Sequence, residues 1–361
     1  MIAEAAGATA ELVIDLSALR ANWRLLADKV APVECAAVIK ADGYGIGLEP
    51  AARALWAEGC RTFFVARLSE GVRARATLPQ ATIYMLDGLT PGAAATLKAH
   101  ALRPALGAME EIAEWGDAGP AALHFDTGMN RLGLAPSEVG VALAALGAKP
   151  TLVMSHFTSS EFPDATDNAR QEAAFAAVEK EIRDIPASLC NSSGIFLASH
   201  PWRDMVRPGY ALYGGNPTPH DTNPMRAVAH LTATMLKVRT VPRGDCVGYN
   251  RTWTARRDSR IAIVGVGYAD GVPRGAMGTD DKRGPDVMIG DARCPIVGRV
   301  SMDLIAIDAT DARAGDVGRG APVEFLGARI GVDEFAAHAG TIGYEILTGL
   351  GRRYRRVYRG G

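Results

Sequence analysis

Short apolar runs alternate with Ala-rich amphipathic stretches through about the first 210 residues of the chain. Each run has the length of a buried strand, and stretches such as 50–56 and 171–183 have helical character. Strands that alternate with helices form parallel sheets, and eight of them predict a closed (β/α)8 barrel. The predicted strands are residues 35–39, 62–66, 82–86, about 102–106, 121–125, 151–155, 187–190 and 205–206.

The pattern changes after about Pro224, where strand-like runs are separated by Gly, Asp and Pro turns and few helical intervals remain. We therefore predict two domains, an α/β barrel over residues 11–226 and a mostly β domain over residues 227–361, joined by an N-terminal strand at about 1–15. A short helix and a closing turn are predicted over residues 333–351. The predicted strands of the second domain are residues 230–241, 260–266, 286–289, 295–297, 304–307 and 322–325.

The charge balance argues against two classes of partner. With 39 basic and 40 acidic residues the formal net charge is -1, so the chain has no general attraction to nucleic acid or to anionic membranes. The five Arg within residues 351–361 are interpreted as a solvated terminal face. No apolar run is long enough to span a membrane, and residues 1–16 lack the basic start of a secretory signal. Five scattered cysteines without C-x-x-C spacing indicate reduced thiols, no zinc site and a cytoplasmic protein.

Lys40 stands at the C-terminal edge of the first predicted strand, just before a Gly-rich turn. Loss of hydration at such a site lowers the pKa of a lysine ammonium, which makes the free amine available as a nucleophile or base. A Schiff base with an aldehyde cofactor such as pyridoxal phosphate is one use of that amine. The alternative is that Lys40 only extends its ammonium from the strand end into water.

Other polar segments follow the later strands of the predicted barrel. Residues 126–133 follow the fifth strand, His156 ends the sixth, residues 191–194 follow the seventh, and residues 207–210 follow the eighth. Because the C-terminal strand ends of a barrel share one rim, these segments are expected to converge there, with phosphate bound after the last two strands. The hydroxyl of Ser192 and nearby amides could bind that phosphate. Taken alone, a histidine such as His156 is more often structural than functional.

Six ordered segments resemble the alanine racemase family, and the resemblance as a whole extends from about residue 11 to Tyr344. The resemblance implies a pyridoxal 5'-phosphate (PLP)-dependent isomerase with a barrel followed by a β domain. It also implies a head-to-tail homodimer whose active sites borrow residues from the partner. The matching segments are 38–45 (VIKADGYG), 126–133 (DTGMNRLG), 207–209 (RPG), 247–255 (VGYNRTWTA), 267–271 (GYADG) and 298–303 (GRVSMD).

Racemisation removes the α-proton from one face of a planar carbanion and returns one on the other, so two acid/base groups must flank it. The resemblance implies that Lys40 holds PLP as a Schiff base and is the base for the D-enantiomer. Tyr249 of the other subunit then serves the L-enantiomer. Because a tyrosine pKa is ordinarily about 10, nearby positive charge must favour the phenolate. Arg131 and a histidine–arginine pair are alternative sources of that charge.

Further roles are implied position by position. Arg207 would face the pyridine nitrogen and, being only a donor, would leave that nitrogen unprotonated, which disfavours transamination. His156 resembles the residue that supports this arginine. Arg131 and the Met302 amide resemble the groups that bind the substrate carboxylate, and Tyr268 the tyrosine that narrows the entrance. The phosphate-binding set is Tyr44, Ser192, Gly209, Tyr210 and Tyr344, and Arg274 and Arg299 are corridor charges.

One position departs from the family pattern. Many members have a carbamylated lysine two residues before the Asp of the DTGM segment, where this chain has His124. Imidazole cannot provide the same anion, so Arg131 must be oriented differently. We hypothesise a bound chloride or a nearby carboxylate.

Three other functions stay open at this point. The same segments serve serine or lysine racemases, although Met302 and Tyr268 suggest small substrates. A PLP-binding protein without turnover would not need Tyr249, Tyr268 and Met302 in a second domain. A decarboxylase of similar shape would present a catalytic cysteine and a carboxylate at the pyridine nitrogen. The sequence does not distinguish D-alanine biosynthesis, which supplies a peptidoglycan precursor, from alanine catabolism.

Overall fold

A computed structural model describes residues 8–361, so the first seven residues of the predicted joining segment lie outside the described residues. The chain forms two compact units. The barrel unit comprises residues 19–212 and 216–225, and the β unit comprises residues 8–18, 213–215 and 226–361.

The barrel unit contains the predicted parallel strands in the predicted order. Consecutive strands pair in parallel, for example Ala37 with Phe63 and Leu123 with Val153. The ring closes because the last strand pairs in parallel with Glu34–Cys35, and Arg207 N donates to Cys190 O at 2.9 Å. The prediction of a (β/α)8 barrel is confirmed. Its strands are Glu34–Cys35 with Ala37–Val38, Thr62–Val65, Thr82–Met85, Arg103–Leu106, Ala122–His124, Leu152–Met154, Ala187–Ser188 and Met205–Val206.

The first strand is interrupted at Ala36, whose amide donates to Val206 O at 3.0 Å. The segment therefore pairs with the last strand before the gap and with Thr62–Val65 after it. Most residues of these strands are buried because helices cover the sheet, as in parallel sheets generally. The helices of the barrel unit are Leu16–Val30, Leu48–Glu58, Leu68–Thr77, Ala94–Ala99, Met109–Trp115, Val139–Ala145 and Thr166–Glu181, with 3-10 turns at Pro136–Glu138, Ser193–Phe196 and Tyr210–Tyr213.

The β unit is organised around the long strand Ala229–Val241. Its first half pairs with Ala10–Asp15 and Pro322–Leu326, and its second half pairs with Ser259–Val264. The sheet then continues through Ile305–Asp308, Ala292–Val297 and Asp286–Ile289 back to Pro322–Leu326. Further elements are the hairpin Cys246–Val247 with Trp253–Thr254, the 3-10 turns Tyr249–Arg251, Tyr268–Asp270 and Ala314–Asp316, and the helices Val332–Ala339 and Gly343–Thr348.

The arginine-rich C-terminus forms a strand, Arg355–Arg359, that the sequence did not predict. It pairs in parallel with Ala10–Asp15, and Arg355 contacts Glu11. The side chains of this edge strand remain partly or fully exposed. The arginines therefore indicated a solvated face, and nothing in the sequence indicated the extended backbone. None of the helices within residues 8–361 combines the length and apolar character that crossing a membrane requires.

Candidate active site

Lys40 is the residue at which the first barrel strand turns. Two residues after the strand Ala37–Val38, its side chain lies largely out of water. Burial lowers the pKa of Lys40, the positive charge of Arg131 lowers it further, and Asp87 and Glu70 oppose the shift. The amine therefore gives up its proton more readily than a lysine in water does.

The backbone after Lys40 makes a left-handed turn. Ala41, Asp42 and Tyr44 have φ values of 53°, 54° and 50°, a conformation that costs about 1–2 kcal/mol for each residue that has a Cβ. Gly43 and Gly45 complete the turn at φ 63° and 83° without that cost. A backbone conformation this unfavourable persists only where surrounding contacts stabilise it.

Glu70 supplies those contacts from the first turn of the helix Leu68–Thr77. Its Oε1 accepts hydrogen bonds from the amides of Ala41 at 2.6 Å and Asp42 at 3.4 Å. Its Oε2 accepts from the amides of Ala66 at 3.0 Å and Arg67 at 3.1 Å. A second contact comes from Arg73, which binds Asp42 Oδ1 at 2.6 Å. The turn after Lys40 is thus held by two side chains of the helix Leu68–Thr77, which follows the second barrel strand.

Arg207 is the most buried charged side chain in the barrel unit, with 2% of its surface exposed. One terminal nitrogen donates to Ser188 Oγ, and the other donates to Ser155 O at 2.5 Å and lies 3.5 Å from His156 Nδ1. Burial lowers the Arg207 pKa to about 10. Within residues 8–361 no carboxylate pairs with it, and its Nε makes no hydrogen bond to protein. That donor is available to a bound group.

Two histidines lie beside this arginine. Burial lowers the pKa of His156 well below its ordinary value, and the charges of Arg207, Lys40 and Arg131 lower it further. Burial, Arg207 and Arg131 lower the pKa of His124 to about 4, so both rings are neutral near pH 7. The buried Nδ1 of His124 has no hydrogen-bond partner within the described residues. The mutual influence of these groups indicates that they share one region of the rim.

A second group of contacts in the barrel unit joins Tyr44, Gly209 and Ser192. A Cβ on Gly209 would lie 2.3 Å from the Tyr44 hydroxyl, so only glycine fits there. The Gly209 amide donates to Ser192 Oγ at 3.1 Å, and the Ala211 amide donates to the same oxygen at 3.2 Å. Tyr210 begins the adjoining 3-10 turn. Hydroxyls and loop amides together make a site suited to a phosphate.

Arg131 lies exposed in the loop after the fifth strand. Asp126 holds that loop by accepting hydrogen bonds from the amides of Gly128 and Met129 at 2.8 Å and of Arg131 at 3.2 Å. The nearby carboxylate thus binds the backbone of Arg131. Within residues 8–361 the guanidinium of Arg131 makes no hydrogen bond or ion pair, so no carboxylate of these residues orients it. The other hypothesis, a bound chloride, stays a prediction.

The remaining predicted site residues belong to the β unit, and large parts of their side chains are exposed. Tyr249 is 69% exposed, Met302 53%, Tyr344 41% and Tyr268 40%. The loops of Tyr268 and Met302 are joined, because Tyr268 N donates to Ser301 O at 3.0 Å and Ala269 N to Met302 O at 3.0 Å.

Arg353 adds a second link between these two loops by pairing with Asp270 and Asp303. The Met302 amide makes no hydrogen bond within the described residues. Of the two predicted corridor charges, Arg274 is exposed, and Arg299 has a buried Nε without a partner in residues 8–361.

Sequence reasoning missed Glu70, Ser155 and Ser188. Each left a signal, because Ser155 and Ser188 are polar residues in apolar strands and Glu70 occupies the third position of the helix Leu68–Thr77. A glutamate at that position commonly reaches back to loop amides. Residues 8–361 contain no cluster of His, Cys, Asp or Glu arranged to bind a metal ion.

Comparison with known proteins gives matches over both units. Residues 14–217 match the family "Alanine racemase, N-terminal domain", and residues 228–358 match "Alanine racemase, C-terminal domain". A Methylobacterium sp. (strain 4-46) protein named alanine racemase is 52% identical, with 97% of each chain covered. One from Methylobacterium nodulans is 53% identical, with 97% of this chain and 96% of that protein covered.

A solved structure gives the same result for the fold. The chain resembles a crystal structure of alanine racemase from Bartonella henselae with covalently bound pyridoxal phosphate. The TM-score is 0.91 at 37% sequence identity, and the match covers 98% of this chain and 100% of that one.

Proposed function

The chain belongs to the alanine racemase family, and we propose on that basis that it is a PLP-dependent isomerase that interconverts L-alanine and D-alanine. The observation that carries the proposal is Arg207, a buried guanidinium without a carboxylate partner within residues 8–361. A decarboxylase was expected to have a carboxylate and not a guanidinium at this place. The matches over both domains argue against a barrel that only binds the cofactor.

The residues of the barrel unit fit PLP. Lys40 offers an amine that burial makes more reactive, and Arg207 Nε offers a donor to the pyridine nitrogen. Tyr44 and Ser192 offer hydroxyls to the phosphate, with Gly209 and Tyr210 forming the loop that holds the Ser192 hydroxyl. His156 holds Arg207 in place through the 3.5 Å contact. Tyr344 completes the proposed phosphate set. When bound, PLP supplies electron withdrawal that makes the α-proton of the amino acid acidic.

Two groups of the chain move that proton. Lys40 takes it from D-alanine, because burial favours the neutral amine that a base requires. Tyr249 takes it from L-alanine on the opposite face, and its large exposed surface in the single chain suits a residue that a partner subunit covers.

Substrate selection rests on a few groups. Arg131 and the Met302 amide bind the substrate carboxylate, both having donors that residues 8–361 leave unused. Tyr268 and Met302 lie on joined loops and restrict the side chain to a small one. Arg274 and Arg299 attract the amino acid along the corridor. Serine differs from alanine by a single hydroxyl group, so these groups alone would admit it as well.

The assembly we propose is a cytoplasmic homodimer in which the barrel over residues 11–226 meets the β domain, residues 227–361 with the N-terminal strand, of the partner. Four exposed site residues on the β unit support this, because large apolar groups in contact with water favour a covering surface. Neither nucleic acid nor membrane is a partner.

Chiral chromatography tests the function directly. L-alanine incubated with the PLP-loaded protein is expected to approach an equal mixture of enantiomers, and Lys40→Ala is expected to abolish both the conversion and the absorbance of lysine-bound PLP. Release of carbon dioxide, or unchanged L-alanine, would reject the proposal. Serine and lysine in the same assay define the substrate range.

A further inference from the structure

Glu70 is placed by the fold between two loops of the barrel rim. It occupies the third position of the helix Leu68–Thr77 and is 9% exposed. Each carboxylate oxygen accepts hydrogen bonds from one loop. Oε1 accepts from the amides of Ala41 and Asp42, and Oε2 accepts from the amides of Ala66 and Arg67. A carboxylate can accept all four hydrogen bonds because it has acceptor sites on both oxygens.

The turn that Glu70 holds connects the two ends of the proposed cofactor site. Lys40 precedes it, and Tyr44 ends it with a hydroxyl against Gly209. Three of its residues have a left-handed backbone that L-amino acids with a Cβ disfavour. Without the carboxylate, the amides of Ala41 and Asp42 lose their acceptor and the backbone can relax to a more favourable conformation.

We propose that Glu70 is a positioning residue, which fixes Lys40 and Tyr44 at the spacing that the cofactor requires by binding the first two amides of the left-handed turn. This inference rests on the proposed function, because the spacing matters only if Lys40 carries PLP. Glu70 does not touch the reacting atoms. It acts through the backbone on the residues that do.

The chain contains a matched control. Glu111 also occupies the third position of its helix, Met109–Trp115, and its Oε2 accepts from the Gly107 amide at 2.8 Å. It binds a second loop as well, through the amide of Leu89. Glu111 thus also joins two loops of the rim through their amides, at a place that does not include the Lys40 turn. Glu70→Gln and Glu111→Gln therefore remove equivalent carboxylates at different places.

The test compares these two variants in the full-length protein with and without PLP. In the cofactor-free protein, Glu70→Gln is expected to speed amide hydrogen exchange in the peptide that contains Ala41 to Gly45 by about tenfold or more. Glutamine offers one neutral acceptor oxygen where glutamate offers two charged ones, and its NH2 group cannot accept from the remaining amides. Titration with PLP is expected to show about tenfold weaker formation of the lysine-bound absorbance. Racemisation is expected to fall in both directions, with a larger effect on kcat than on KM. Glu111→Gln leaves all three near wild-type values.

The outcomes separate the two proposals. Equal exchange and equal PLP affinity in Glu70→Gln and Glu111→Gln would overturn the positioning role, whatever the activity. Wild-type protein that neither binds PLP on Lys40 nor racemises alanine would overturn the proposed function instead, while the exchange data would still report on the turn. Glu70→Asp adds a second criterion, because the shorter side chain keeps the charge but cannot reach both loops. Its amide exchange and PLP affinity are expected to stay close to those of Glu70→Gln.

Discussion

Replacing Gly209 with alanine tests the phosphate end of the site. The new Cβ would lie 2.3 Å from the Tyr44 hydroxyl, 2.9 Å from Tyr44 Cζ and 3.3 Å from Val38 Cβ. Ordinary contact begins at 3.4 Å, so the hydroxyl must move by about 1 Å. Overpacking of this kind typically costs about 1–3 kcal/mol. If Tyr44 binds the phosphate, that cost appears as about 5- to 150-fold weaker PLP affinity.

The assay is a titration of cofactor-free protein with PLP, followed by the absorbance of the lysine-bound cofactor. Gly140→Ala is the matched control, because its Cβ would meet nothing within 4 Å and it lies inside the helix Val139–Ala145. This control is expected to bind PLP like the wild type and to be slightly more stable. A Gly209→Ala protein whose PLP affinity is within twofold of the control would refute the placement of the phosphate beside Tyr44.

Three further predictions concern other parts of the site. The folded chain keeps His124 neutral down to about pH 4, whereas the unfolded chain protonates it near pH 6.5. The unfolded state therefore binds more protons between these pH values, and the free energy of unfolding decreases as the pH is lowered. Between pH 7 and pH 5 this histidine removes about 2 kcal/mol, so urea unfolding of His124→Gln should show a shallower decline, and an identical decline contradicts the burial argument. If an anion orients Arg131, adding chloride to halide-free buffer lowers the KM for alanine severalfold, whereas a KM insensitive to chloride rejects the bound-anion hypothesis. Tyr249→Phe should leave PLP absorbance intact and slow proton removal from L-alanine more than from D-alanine in deuterated solvent; symmetric slowing opposes the two-base assignment.

Much of the barrel was predictable because parallel strands buried on both faces read as separate apolar runs. The polar segments at their ends identified the rim, and Lys40, His156, Ser192 and Arg207 lie on the loops or strand ends where the pattern placed them. Their roles came from the family resemblance, since spacing alone cannot say which group a lysine or an arginine binds.

What the sequence could not reveal depends on contacts between distant loops. Arg207 is held by Ser188 Oγ, on the strand Ala187–Ser188, and by Ser155 O, directly after the strand Leu152–Met154. The acceptor that holds the Lys40 turn comes from Glu70. The left-handed backbone at Ala41 was also unforeseeable, because alanine disfavours it and Glu70 stabilises it from the helix Leu68–Thr77. The C-terminal strand was missed because three of its five residues are arginine and its burial does not alternate.

The central claim is that Lys40 and Tyr249 act on one substrate from different copies of the chain. Mixing Lys40→Ala protein with Tyr249→Phe protein and allowing subunits to exchange tests it, since each variant alone lacks one of the two bases. In a symmetric dimer with shared sites, half of the molecules become mixed and each mixed dimer has one intact site, so about a quarter of wild-type racemase activity is expected. Activity in the mixture no higher than the sum of the separate variants would show that both groups must come from the same chain, and would contradict the account.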